Sequence, residues 1–163
     1  MILHRGDHEV WGCSYKTGRR LFLGLRDFDG FEGEYASPIA LRGSFVAVNV
    51  KESGHDTGTY ATVSVYNLRN GKRLHVWSDG GIACVGLTEV TELRLAGSGS
   101  VAWVAEVEYR CGETTKRVIK ADRTSRHAQE LDHGTKIDPH YLELSNGTIY
   151  WRRAGVTRSA PIR

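Results

Sequence analysis

A self-match at a spacing of 53 residues constrains the fold of this chain more than any other feature. The stretch from Val10 to Leu23 (VWGCSYKTGRRLFL) aligns without a gap on the stretch from Val63 to Val76 (VSVYNLRNGKRLHV), which sets a Thr17-Gly18 turn over Asn70-Gly71. A weaker copy runs from Arg117 to Glu130, a further 54 residues along, with Ser125 where the turn glycine stood. In each copy one strand leads through a turn and a run of basic residues into a second strand. Self-similarity at such a period marks architectures in which one small unit buries its face against the next.

A second hairpin alternates with the first. It recurs as Ile39 to Val48 (IALRGSFVAV), Leu93 to Val104 (LRLAGSGSVAWV) and Leu142 to Trp151 (LELSNGTIYW), with Leu41, Leu95 or Leu144 just before the turn. Asn146-Gly147 is a strong turn signal, because a type I′ turn needs positive φ at both central residues. Gly43 and the Gly97-Ser98-Gly99 stretch serve the same corner in the other copies. Runs such as Phe45-Val46-Ala47-Val48 are apolar throughout, as expected of strands covered on both faces. Trp103 and Trp151 match each other in this hairpin, where the first copy has Ala47, and a shared packing role follows. Nineteen glycines against three prolines and one methionine also favour short strands and tight turns. No segment carries a helical stripe.

Three outer and three inner hairpins make four-stranded units of about 54 residues, near the length of a propeller blade. The expected fold is all-β. It is a β-propeller-like array of three four-stranded blades in one domain over 1–163, with repeats near 10–38, 39–92 and 93–141 and a final inner hairpin at 142–163. A β-sandwich with look-alike strands is the alternative. The segment Tyr66-Asn-Leu-Arg-Asn-Gly-Lys-Arg-Leu-His-Val-Trp77 resembles the repeats of pyrroloquinoline-quinone-type propellers, in which a polar strand end, a Thr-Gly or Asn-Gly turn and a strand closing on Trp follow one another. The resemblance implies blade architecture. The first copy has Leu23-Gly24 in place of the closing Trp, the third lacks the turn glycine, and the chain has neither an adjacent cysteine pair nor a calcium-type carboxylate set. The Gly-His and Trp-Asp signatures of WD repeats are missing too. Quinone chemistry is therefore not carried over, and no cofactor is expected.

Three blades are too few to close a ring, since propellers use about four to eight. An open array exposes a blade face at each end, and such apolar faces mark association sites. Because the chain starts on an outer hairpin and stops on an inner one, two copies arranged head to tail about a twofold axis would complete six blades. Val10, Trp11, Leu144, Ile149 and Trp151 are the residues expected in that assembly surface and core. A longer polypeptide supplying the other blades is the rival expectation.

Charge and hydropathy narrow the partners. The 22 basic residues are spread among 19 acidic ones for a net charge of +3, which leaves no electrostatic footprint, so neither a nucleic-acid nor a membrane partner is expected. No apolar run of about 18 residues is present to span a bilayer, and MILHRGDHEV lacks the apolar core of a secretory signal. A soluble protein is expected, cytoplasmic as given or secreted after removal of a signal. Cys13, Cys84 and Cys111 are odd in number, so at least one thiol stays unpaired in a monomer.

The stretch from Arg26 to Glu34 is acidic and glycine-rich without the spacing of an EF-hand, and it joins one blade to the next. Asp27, Asp29, Glu32 and Glu34, together with Asp138 and His140, are thus the expected ligand-facing rim. His4 and His8 could hold a metal, but a solvated terminal segment is the preferred reading. Asp132-His133 and Asp138-Pro139-His140 offer carboxylate beside imidazole, yet neighbours in a strand point apart, and a turn role is preferred for Asp138-Pro139. The Gly54 to Thr59 loop is polar, and no Gly-x-Ser-x-Gly nucleophile elbow exists. The expected function is a non-enzymatic scaffold or recognition module, a homodimer with a protein or glycan ligand. A lactonase- or glycosidase-like hydrolase with a metal in the central channel and a lectin-like module are the alternatives.

Overall fold

The computed structural model describes residues 1–5, 8–25, 33–54, 58–79, 85–109 and 114–163. They hold fourteen strands and no helix. Strands β1 (Ile2–Arg5), β2 (Glu9–Cys13) and β3 (Arg20–Leu25) form a three-stranded sheet. Strands β4 (Gly33–Arg42), β5 (Phe45–Gly54), β6 (Gly58–Asn67) and β7 (Lys72–Asp79) form a four-stranded one. A second four-stranded sheet follows from β8 (Val85–Leu95), β9 (Val101–Tyr109), β10 (Thr114–Ala121) and β11 (Gln129–Gly134). The last sheet has three strands, β12 (Ile137–Ser145), β13 (Thr148–Arg153) and β14 (Val156–Pro161). Each sheet is an antiparallel meander in chain order, and the six hairpins legible in the sequence are six of its strand pairs.

Turn chemistry explains these pairs. Gly18 N–H donates to the Ser14 carbonyl at 2.9 Å and Gly71 N–H to the Asn67 carbonyl at 2.8 Å, so the 53-residue self-match reproduces one hydrogen bond. Both glycines have positive φ, 64° and 70°. Asn146 and Gly147 adopt φ of 49° and 72°, as a type I′ turn requires. The third outer hairpin, without a turn glycine, uses a longer connection in which Ser125 N–H bonds to the Asp122 carbonyl and the Ser125 hydroxyl accepts from His127 N–H at 3.2 Å. Each inner strand also slips register at a matching place, between Ala36 and Ile39, Val90 and Glu92, and Ile137 and Leu142.

Two strands lie outside the expected plan. Ala154 and Gly155 form another turn with φ of 51° and 79°, and it returns the chain along β13 as β14. At the other terminus β1 lies along β2. The array thus has two four-stranded and two three-stranded sheets in place of three blades' worth of hairpins. The edges of β2 and β13, where hairpins of two copies were expected to meet, are taken by β1 and β14.

Alternation along the strands builds three cores between four sheets. From β5, Val46 and Val48 meet Val10, Leu23 and Leu68 on one side, while Phe45 and Ala47 face the other way. There they join Val63, Trp77, Leu93 and Trp103, with the two indole rings 5.9 Å apart between centroids. From β9, Val101, Trp103 and Ala105 enter that middle core, while Ala102 and Val104 pack with Leu142, Ile149 and Trp151 in the third. Strand β8 sits at the centre, against β4, β5 and β6 on one side and β12 on the other. Each large aliphatic side chain buried this way stabilises by about 1.5–3 kcal/mol before entropy is counted. The two middle sheets are covered on both faces and the terminal sheets on one.

Candidate functional site

Of the expected rim, Asp27, Asp29 and Glu32 lie outside the described residues, and Glu34 stands in β4 opposite Glu52. Asp138 and His140 share the irregular start of β12. The Asp138 Oδ1 accepts the His140 backbone N–H at 3.1 Å, which gives the carboxylate a local turn role, and the His140 side chain is exposed. The same segment is tied to β8, where the Thr91 hydroxyl donates to the Pro139 carbonyl at 2.6 Å. His8 is exposed, the centre of the Gly54 to Thr59 loop lies outside the described residues, and so do Cys84 and Cys111. Cys13 is a buried free thiol. Among the described residues, no three His, Cys, Asp or Glu side chains gather as a metal site would need.

Asp132 and His133 part company, as adjacent strand residues must. His133 is exposed and its Nδ1 lies 3.1 Å from Glu130 Oε1. Asp132 turns inward to sheet four, where Trp151 Nε1 donates to it at 2.8 Å, Arg153 at 2.6 Å and Arg158 at 3.1 Å. Burial pushes its carboxyl upward, but the indole hydrogen bond and the two guanidinium charges outweigh that and hold it below the ordinary range. A carboxylate so held stays ionised at neutral pH and makes a poor general base; its work is to clamp the last sheet to the third.

The innermost strands converge on a cleft of about 320 Å³ lined by Leu41 of β4, Leu95 of β8 and Leu144 of β12. These are the three leucines that the repeat places just before each turn. Arg42 and Arg94 share the lining, and Arg94 pairs with Glu92 at 2.6 Å. A second cleft of about 360 Å³ opens between Cys13, Tyr15 and Lys16 of the first sheet and Ser44, Leu68 and Arg69 of the second.

The residues expected in assembly and core take two kinds of position. Val10, Ile149 and Trp151 are buried within cores, and Leu144 packs at the edge of the third. Trp11 lies on the outward face of the first sheet, with its ring 5.4 Å from that of Phe22 in a T-shaped contact and its Nε1 bonded to Glu9. Phe22 is 46% exposed and Leu25 37%. Sequence reasoning did not single out these two. The signal was the run Leu21-Phe22-Leu23, in which alternation sends the middle residue to the face opposite its neighbours. On the outward face of the last sheet, the Arg152 guanidinium lies 4.2 Å from the Tyr141 ring centroid. No family model, curated protein or solved structure matches this chain.

Proposed function

We propose that this chain is a non-enzymatic β-propeller-type scaffold or recognition module that closes its array by pairing with a second copy. The observation that carries this reading is the count of cores: four sheets share three, so the first and last sheets each keep one uncovered face. On the first, Trp11, Phe22 and Leu25 form an apolar patch on an otherwise ordinary edge of the molecule. On the last, Tyr141 and Arg152 offer a flat aromatic and cationic surface that suits it. Face-to-face stacking of first sheet on last, twice over, makes a ring of eight sheets, within the range of about four to eight seen in propellers. The six-blade version would require β1 and β14 to leave the edges they occupy. Leucines from three inner strands at the convergent cleft support a packing and recognition role over hydrolysis, which would place acids or imidazoles there.

Light scattering after size exclusion tests the reading. A mass twice the chain's 18.1 kDa is expected at micromolar concentration, and Phe22→Glu, which puts a charge into the proposed contact, is expected to leave a folded monomer. A stable monomeric wild type would overturn the proposal.

A further inference from the structure

Topology gathers charge that the sequence scatters. Because every sheet is an antiparallel meander, the connections 14–19, 43–44, 68–71, 96–100, 122–128 and 146–147 all fall at one end of their sheets. Contacts join these ends across the whole array. The Arg19 guanidinium lies against Gly71, the Arg123 guanidinium sits 5.6 Å from the Phe45 ring centroid, and the Ser100 hydroxyl hydrogen-bonds to the Arg163 carbonyl. The four turn ends are one continuous surface.

Exposed basic side chains crowd it. The first sheet presents Lys16, Arg19 and Arg20, the second Arg42, Arg69, Lys72 and Arg73, and the third Arg123 and Arg126. On the same connections the one acidic residue is Asp122, and its carboxylate is engaged by the Lys120 ammonium at 3.3 Å and the Arg163 N–H at 2.8 Å. Glu9, Glu52 and Glu108 lie on the far parts of their strands, while Glu130 and Glu143 stand exposed beside the turns at 122–128 and 146–147, Glu130 paired with Arg117. The basic residues at the outer turns of the repeat are thus set side by side, one cluster on each of the first three sheets.

We propose that this turn end binds the phosphodiester backbone of nucleic acid without preference for sequence. Arginine predominates over lysine here, and its planar fork matches phosphate oxygens in pairs. Stacked sheets lie about 10 Å apart, so the clusters form a row a linear polyanion can follow. A lipid surface would call for apolar side chains at the tips; of the large ones at this end only Tyr15, at 80%, is more than half exposed. The inference does not depend on the proposed pairing of chains, which uses sheet faces and leaves the turn end open.

Fluorescence anisotropy with a labelled duplex of about 20 base pairs, titrated across salt, tests it. Engagement of about five phosphates predicts a slope of about −4.5 in log affinity against log salt, or a loss of about 500-fold between about 50 and 200 mM. The double variant Arg69→Glu with Arg73→Glu is expected to weaken binding by more than about 10-fold and to flatten the slope by about two. Lys116→Glu with Lys136→Glu changes net charge equally but at the opposite end of the sheets and outside the proposed pairing faces, and binding should stay within about twofold of wild type. No saturable binding at about 50 mM salt, equal weakening by both double variants, or tighter binding to phosphatidylserine vesicles than to the duplex would each overturn the proposal.

Discussion

At the scale of single residues, Asp132 shows how burial decides a side chain's role. In sequence it neighbours a histidine; in space it is the shared acceptor of Trp151, Arg153 and Arg158. Its folded pKa is lowered, so its stabilisation is complete above the unfolded value near pH 4 and is lost as pH falls through the folded value. Asp132→Asn keeps the shape and removes the charge. It should cost about 1–2 kcal/mol in urea unfolding at pH 7, the two guanidiniums being partly exposed and screened. The gap between wild type and variant should begin to narrow below about pH 4 and close only once pH has fallen through the lower folded value, where the wild-type carboxyl is protonated too. Equal stability at pH 7 would mean that the charge is not used. The aspartate was visible in the sequence but its partners were not, since they come from strands 19 to 26 residues further on.

At the scale of elements, turns carried most of the legible information. Asn146-Gly147, Thr17-Gly18 and Asn70-Gly71 each state a backbone conformation that few other pairs adopt, so their hairpins could be read directly. Strand β14 escaped because its side chains are nearly all exposed, leaving no apolar alternation to read. It is held instead by its ladder to β13 and by tail contacts: Ile162 N–H to the Gly147 carbonyl at 2.9 Å and the buried Lys120 ammonium to the Pro161 carbonyl at 2.8 Å. Its turn also places Ala154, a residue with a Cβ, in the left-handed region at φ 51°. Ala154→Asn should relieve that strain, with asparagine tolerating the conformation and the site being exposed. A gain of about 0.5–1 kcal/mol is expected in thermal or urea unfolding; a loss would show that the turn is not of this type.

At the scale of the whole molecule, stability rises toward the middle of the stack. Strands β5, β6, β9 and β10 belong to sheets covered on both faces, whereas β1 and β14 are edges of sheets covered on one. Native-state hydrogen exchange should therefore be slowest in the middle sheets and fastest in β1 and β14. Raising protein concentration should add protection to β1–β3 and β12–β14 alone, if their outward faces meet in a dimer. Uniform protection across the chain would mean that the array opens as one unit. Trp103→Ala, which empties the contact with Trp77 in the middle core, should cost about 3–5 kcal/mol by the same unfolding measurement.

The sequence by itself determined the all-β class, the inner and outer hairpins and the turns that join them, because turn residues and apolar alternation act over a few neighbouring positions. It also marked Trp103 and Trp151 as packing residues through their matching places in the repeat. Tertiary structure alone decided that sheets of three strands bound the array, that Leu41, Leu95 and Leu144 meet at one cleft, and that basic residues dispersed along the chain share one end. The physical reason is the meander itself. Reversal of direction at every turn brings residues about 54 apart in sequence side by side in neighbouring sheets, a separation over which local chemistry carries no information.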